Sequence, residues 1–159
     1  MRIAKNTLLL ISMAALVLLS AGCGNSQEKM SEYNIYYINT DKTKTVAVGY
    51  EPKAKDTEEM IAEYLEQLFR DTDNPDYRKP LPERVRLDSW NLEDGQLSLY
   101  FNSAYLEMDN IEEVLCRAAI VRTLIQTEGV DCISFYVGNA PLLDSEGRPV
   151  GLMTEDSFI

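Results

Sequence analysis

Histidine is absent from all 159 residues. Its absence removes the Ser-His-Asp and Cys-His arrangements of nucleophilic catalysis, and the HExxH zinc site. The 8 glycines form no phosphate-cradling loop. Positive charge is scarce, with 15 Lys+Arg against 26 Asp+Glu and a net charge of −11. Nucleic acid is therefore not an expected partner, since binding it needs a basic footprint. Long apolar runs are missing as well. The one candidate, Leu8 to Leu19, falls short of the about 20 residues that span a bilayer. Asp71-Thr72-Asp73-Asn74-Pro75-Asp76 has a calcium-loop rhythm, but Pro75 takes a ligand position and Asp76 stands where glycine is required. Pro82 falls at the place of the closing glutamate, so an acidic surface loop is the expectation and no metal or cofactor is implied.

What is present begins with an export signal. Arg2 and Lys5 give a positive start, the apolar run follows, and Ser20-Ala21-Gly22 leads into Cys23. Small residues directly before a cysteine resemble the bacterial lipoprotein box, with cleavage after Gly22 and Cys23 as the diacylglyceryl acceptor. Ser20 stands where leucine is usual, and an ordinary secretory signal with a chance cysteine is the competing reading. The expected organisation is a signal peptide over 1–22, a polar tether over 23–32 and one domain over 33–159. A flexible tether of that length reaches roughly 15–20 Å. Without its leader the chain keeps 13 basic and 26 acidic residues, a charge of −13. Anionic headgroups repel such a domain, so the acyl anchor holds it at the membrane against its own field. Basic partners suit that charge, and so does solubility alone.

Alternation predicts strands over Tyr33–Ile38 and Thr45–Glu51, joined by a turn at Thr40-Asp41-Lys42. Asp56 and Glu59 form a capping box for a helix that runs to about Arg70 and carries Ile61, Tyr64, Leu65 and Leu68 at helical spacing. Val85 and Leu87 open a strand that turns at Asp94-Gly95, a type I′ signal, and returns through Leu97, Leu99 and Phe101. That turn sets Leu92 opposite Leu97 and Trp90 opposite Leu99; the parity break before Trp90 predicts a β-bulge near Asp88-Ser89.

Ile111, Val114, Ala118, Val121 and Ile125 mark one face of a second helix, which Ile120 and Leu124 widen. Gly129 is the expected C-terminal stop. Ile133, Phe135 and Val137 then alternate as a strand, and Pro149 to Met153 is a candidate edge strand. The order is β-β-α-β-β-α-β-(β), an α+β fold with two helices on a mostly antiparallel sheet.

Several of these pieces resemble the GerMN domain family of bacterial sporulation and germination lipoproteins. They are Tyr36-Tyr37-Ile38, Tyr64-Leu65-Glu66-Gln67-Leu68, Leu81-Pro82, Val85-Arg86-Leu87 and the Asp94-Gly95 hairpin. The closest correspondence is Ile120-Val121-Arg122-Thr123-Leu124-Ile125-Gln126, then Gly129-Val130 and Phe135-Tyr136-Val137-Gly138. The resemblance implies a fold similar to the ring-building motif and a non-catalytic role in envelope assemblies of spore formers. Envelope or sporulation-complex proteins would be the partners. Many family members carry two such domains or an added immunoglobulin-like one; this chain has one.

The residues point independently to few chemical options. Adjacent carboxylates Glu112-Glu113 and Glu58-Glu59 lie about 100° apart around a helix and do not converge for glycan hydrolysis. Cys116 lies well back in its helix and Cys132 beyond the helix end, too far apart for a disulfide, so both thiols should be free. Tyr36, Tyr100 and Tyr136 each have the parity opposite the main apolar residues of their strands, which suits an open sheet face that meets a partner or glycan. Tyrosine is also an ordinary strand former. The leading expectation is a non-enzymatic interaction lipoprotein on the extracytoplasmic side of the cell membrane. A peptidoglycan-binding or peptidoglycan-cleaving lipoprotein is the alternative, and a small-molecule receptor a third reading.

Overall fold

The computed structural model describes residues 31–158. Gly22, Cys23 and the predicted leader and most of the tether lie outside the described residues. Strands β1 (Tyr33–Asn39) and β2 (Thr45–Tyr50) form the predicted antiparallel hairpin, pairing Tyr33 with Tyr50 through to Ile38 with Thr45. Asn39 Oδ1 ties the turn by accepting from the N–H groups of Thr43 and Lys44 at 2.8 and 2.9 Å. Helix α1 (Thr57–Phe69) starts at Asp56, whose carboxylate accepts from Glu58 N–H at 3.0 Å and Glu59 N–H at 3.4 Å. Its inward stripe is Ile61, Tyr64, Leu65 and Leu68, as the periodicity requires.

A two-residue strand, β3 (Tyr77–Arg78), joins the other edge of β1, but only at Ile38 and Asn39. The N-terminal part of that edge is closed differently. Gln126 Nε2 donates to Asn34 O at 2.8 Å while Gln126 Oε1 accepts from Asn34 N–H at 2.9 Å. Two residues along, Tyr36 N–H donates to Thr123 Oγ1 at 3.0 Å. A side-chain amide and a hydroxyl thus replace the peptide groups of a missing strand, and the edge is not left bare.

The second sheet has the order β4-β5-β6-β7, from β4 (Leu87–Glu93), β5 (Gln96–Phe101), β6 (Cys132–Val137) and β7 (Ala140–Pro141). Strand β4 begins at Leu87, so Val85 is buried outside it. The β4–β5 hairpin has the expected register, Leu92 with Leu97 and Trp90 with Leu99, and the register shift falls between Leu87 and Ser89. Asp94 and Gly95 both take positive φ, 49° and 80°, as a type I′ turn demands. A Cβ at Gly95 would also fall 2.2 Å from Asp131 Oδ2, so that exposed carboxylate would have to turn away.

Strands β5 and β6 are parallel, joined by a crossover through α2 (Asn110–Leu124). The fold is therefore α+β with mostly antiparallel pairing, divided between two sheets. The expected edge strand over Pro149 to Met153 is reduced to two isolated bridges, Leu143 with Pro149 and Ile133 with Met153.

Helix α2 departs from its predicted orientation. Ala118, Ile120, Val121 and Leu124 are buried as expected, but Ile111 and Val114 are 64% and 44% exposed. Glu112 and Cys116 face inward in their place. The physical reason is ionic: Glu112 Oε1 lies 3.0 Å from Arg78 Nη2 and 3.5 Å from Lys42 Nζ, and these pairs fix the first turns of the helix. Gly129 also plays a different part. The helix ends at Leu124, and Gly129 takes a φ of 86° one turn later, where Val130 N–H bonds to Thr127 O. Ile35, α1, β5, β6 and the inner face of α2 share one core, with Leu97, Leu99, Ile120, Leu124 and Ile133 fully enclosed. Among the described residues no helix is long and apolar enough to cross a membrane.

Candidate interaction surface

The two parallel central strands sort their side chains cleanly. Leu97, Leu99 and Phe101 on β5, with Ile133 and Phe135 on β6, are at most 2% exposed and point to the core. The alternate positions, Gln96, Ser98 and Tyr100 on β5 and Cys132, Ser134 and Tyr136 on β6, make the other face. Register places them in rows, Gln96 beside Cys132, Ser98 beside Ser134 and Tyr100 beside Tyr136. Strand β4 extends the rows with Glu93, Asn91 and Ser89, all exposed, and β7 sets exposed Pro141 beside Tyr136.

The Tyr100 and Tyr136 rings stack with centroids 4.8 Å apart and planes 17° from parallel. Next to them the Ser98 and Ser134 hydroxyl oxygens are 3.0 Å apart, and Gln96 Nε2 donates to both, at 3.4 and 3.1 Å. The two serines are buried, so the face carries an enclosed polar pair beside an aromatic ridge. Each tyrosine ring is rigid and ends in a hydroxyl, so the ridge offers apolar contact area with polar tips at low entropic cost.

Tyr36 does not belong to this face. It sits on β1 in the other sheet, its ring 5.0 Å below the Arg122 guanidinium carbon. Strand parity groups the three tyrosines but says nothing about which sheet a strand joins. Two of them come together and the third does not. Cys116 and Cys132 are both free thiols. Burial pushes the Cys116 thiol well up, aided by nearby Glu113 and Glu112, so it is held neutral and inert.

Of the adjacent carboxylates, Glu112 and Glu113 are tied to cations. Glu112 is enclosed by Arg78 and Lys42, and Glu113 bonds Arg117 Nη2 at 3.0 Å. Asp71 in the calcium-like loop pairs with Lys79 at 2.8 Å, and Asn74 Oδ1 accepts from Asp76 N–H at 2.9 Å. Among the described residues no group of three acidic or cysteine side chains is placed to hold a metal. A cavity of about 340 Å³ between β1, the loop before α1 and Thr127-Glu128 is at the small end of ligand sites, roughly 300–1,000 Å³. Burial and the Glu63 carboxylate beside it push the Tyr50 hydroxyl up to about 12, while the hydrogen bond from Tyr50 holds Glu63 below its ordinary value.

Sequence reasoning singled out the segment containing Thr123 and Gln126 without a role for either side chain; their bonds to β1 supply it. It missed the Glu112 cluster, whose partners are 34 and 70 residues away along the chain.

Comparison with known proteins agrees with this architecture. A family pattern described as sporulation and spore germination (Germane) matches residues 34–143. No curated protein matches. The first GerMN domain of the sporulation protein GerM from Bacillus subtilis superposes with a TM-score of 0.59 at 16% identity, covering 77% of this chain and 96% of that one. The tandem GerMN domains of the same protein give 0.55 at 18% identity, over 79% of this chain and 45% of theirs. A Clostridium perfringens protein described as a candidate lipoprotein gives 0.52 at 18%, over 77% and 85%. These likenesses establish the fold, and the family pattern covers well over half of the chain. The protein belongs to the GerMN-type family of sporulation and spore germination proteins.

Proposed function

We propose that this protein is a non-catalytic interaction module, tethered by lipid at Cys23 to the extracytoplasmic face of the cell membrane, that acts in sporulation, germination or envelope assembly. The stacked Tyr100–Tyr136 pair beside the hydrogen-bonded Ser98–Ser134 pair carries the reading. Rigid amphipathic rings on a sheet face that is exposed at both margins suit a protein surface better than a reaction centre. The positive start, the apolar run and the small residues leading into Cys23 support placement outside the cytoplasm.

Pull-down from envelopes of sporulating cells tests the surface. Tyr136→Ala should lose the captured partner while its thermal midpoint stays close to that of the parent; capture at parental strength sinks the assignment. Cys23→Ala should leave the membrane fraction. The tyrosine–serine face also has the chemistry of a glycan contact, so purified peptidoglycan is the second probe. Co-sedimentation that Tyr136→Ala abolishes would make the partner a glycan, and released muropeptides would end the non-catalytic reading.

A further inference from the structure

Five large apolar side chains are exposed among the described residues, and three of them, Leu106, Val114 and Leu143, line one groove of about 280 Å³. A fourth, Ile111, lies three residues before Val114 on α2 and so on the same side of that helix. Apolar residues scattered singly over a surface need no explanation, whereas several gathered in one concavity mark a contact site. The groove runs between the 3-10 turn Ser103–Glu107, the first half of α2 and the segment that follows β7. Its floor is firm, because Tyr105, Met108 and Leu142 belong to the core.

The surrounding charge narrows the occupant. Glu113 and Asp144 line the groove, and Glu107, Asp109 and Glu146 adjoin lining residues in the chain. Against these five carboxylates stand three guanidinium groups, each already engaged. Arg117 bonds Glu113 at 3.0 Å, Arg148 lies 2.9 Å from both Asp144 and Glu146, and Arg84 lies 3.6 Å from Glu107. The rim is net negative in a chain that is itself strongly acidic. A second copy would bring like charges together across the contact, and an acidic partner would meet the same repulsion. The volume is below that of drug-sized ligand sites and takes only a few side chains.

We infer that this groove receives a basic amphipathic segment of another protein, with a stripe of leucine-type anchors seated on Leu106, Val114 and Leu143 and lysines or arginines along the acidic rim. The inference rests on the reading of the chain as an interaction module and adds a second surface, with the chemistry of its partner, away from the tyrosine face.

A labelled amphipathic peptide with leucines at i, i+3, i+4 and i+7 and lysines elsewhere is the probe, and its counterpart with glutamates for the lysines is the control. Anisotropy titration against the purified protein should show binding of the lysine peptide alone, weakening as salt is added. Val114→Ser with Leu143→Ser should weaken it about tenfold or more, without loss of the thermal midpoint because both side chains are exposed. Leu152→Ser, at the fifth exposed position, should bind like the parent. Tyr136→Ala should keep its full affinity for the peptide, which separates failure of this groove from failure of the tyrosine face. Equal binding of both peptides overturns the inference, as does undiminished binding by the double variant. So does a homodimer in sedimentation equilibrium that the double substitution dissolves, since the occupant would then be a second copy.

Discussion

In the three-stranded sheet, β1 carries β2 along its whole length on one side and only two residues of β3 on the other. The remainder of that side is completed by Gln126 and Thr123 of the α2 region, and β1 is buried on both faces, at Ile35 and at Ile38. In the four-stranded sheet β5 is paired on both sides, and the outer edge of β6, which meets only two residues of β7, is completed by the backbone of Leu142 and Met153. The polar side chains stand on one face, where Ser98, Ser134, Tyr100 and Tyr136 bond or stack with each other. Polar groups thus do opposite work in the two sheets. In the first they satisfy the backbone and hold the fold. In the second they satisfy one another, the backbone needs nothing from them, and they are free to be a surface.

That contrast can be broken by substitution. Gln126→Leu strips both backbone groups of Asn34 of their partner, and an orphaned, partly buried donor or acceptor costs about 1–3 kcal/mol. A loss of about 2–3 kcal/mol in urea unfolding is expected; a loss under about 0.5 kcal/mol would mean that the amide is incidental. Tyr136→Ala on the other sheet removes one cross-strand aromatic pair, with an expected cost of about 1 kcal/mol or less. The smallest effect belongs to Ser98→Ala with Ser134→Ala. Both partners of their hydrogen bond vanish together, so unfolding should shift by less than about 1 kcal/mol. A double variant as damaging as Gln126→Leu would erase the distinction between the sheets.

Acid and base sharpen it further through Tyr50, on β2, and Glu63, on α1. The Glu63 carboxyl lies below its ordinary value in the folded state, so its contribution is present above about pH 4.3 and disappears as pH falls through the folded value. The Tyr50 hydroxyl is raised to about 12, so its contribution is present below the unfolded value of about 10 and disappears as pH climbs through about 12. Tyr50→Phe should therefore flatten the alkaline limb of the urea midpoint against pH and weaken the acid limb, where Glu63 keeps its bonds from Lys53 and Ala54 N–H groups. Identical pH profiles for the two proteins would show that the pair does not couple to folding.

The parts of the fold legible in the sequence were those with local causes. Asp94-Gly95 dictated the turn, the parity of Trp90 and Leu92 against Val85 and Leu87 located the bulge, and Asp56 started α1. Parity also put Tyr100 and Tyr136 off the core side of their strands. What stayed illegible depended on distant chain. Helical period groups Ile111 with Val114 but does not say that their side faces inward; Arg78 and Lys42 decided that through Glu112. Likewise, nothing within β1 tells that its missing neighbour is a glutamine 92 positions later. The division into two sheets, and with it the separation of Tyr36 from the other tyrosines, also lies in which distant strands pair and not in the pattern within any one of them.

Gln126 also acts as a stopper. Were α2 to swing away, Asn34 and Tyr36 would present bare peptide groups to any extended chain that drifted past, and strand-upon-strand growth into fibrils could start from that rail. In place, that amide and the Thr123 hydroxyl cover the part of the β1 edge that β3 does not reach, and deny it to an incoming strand.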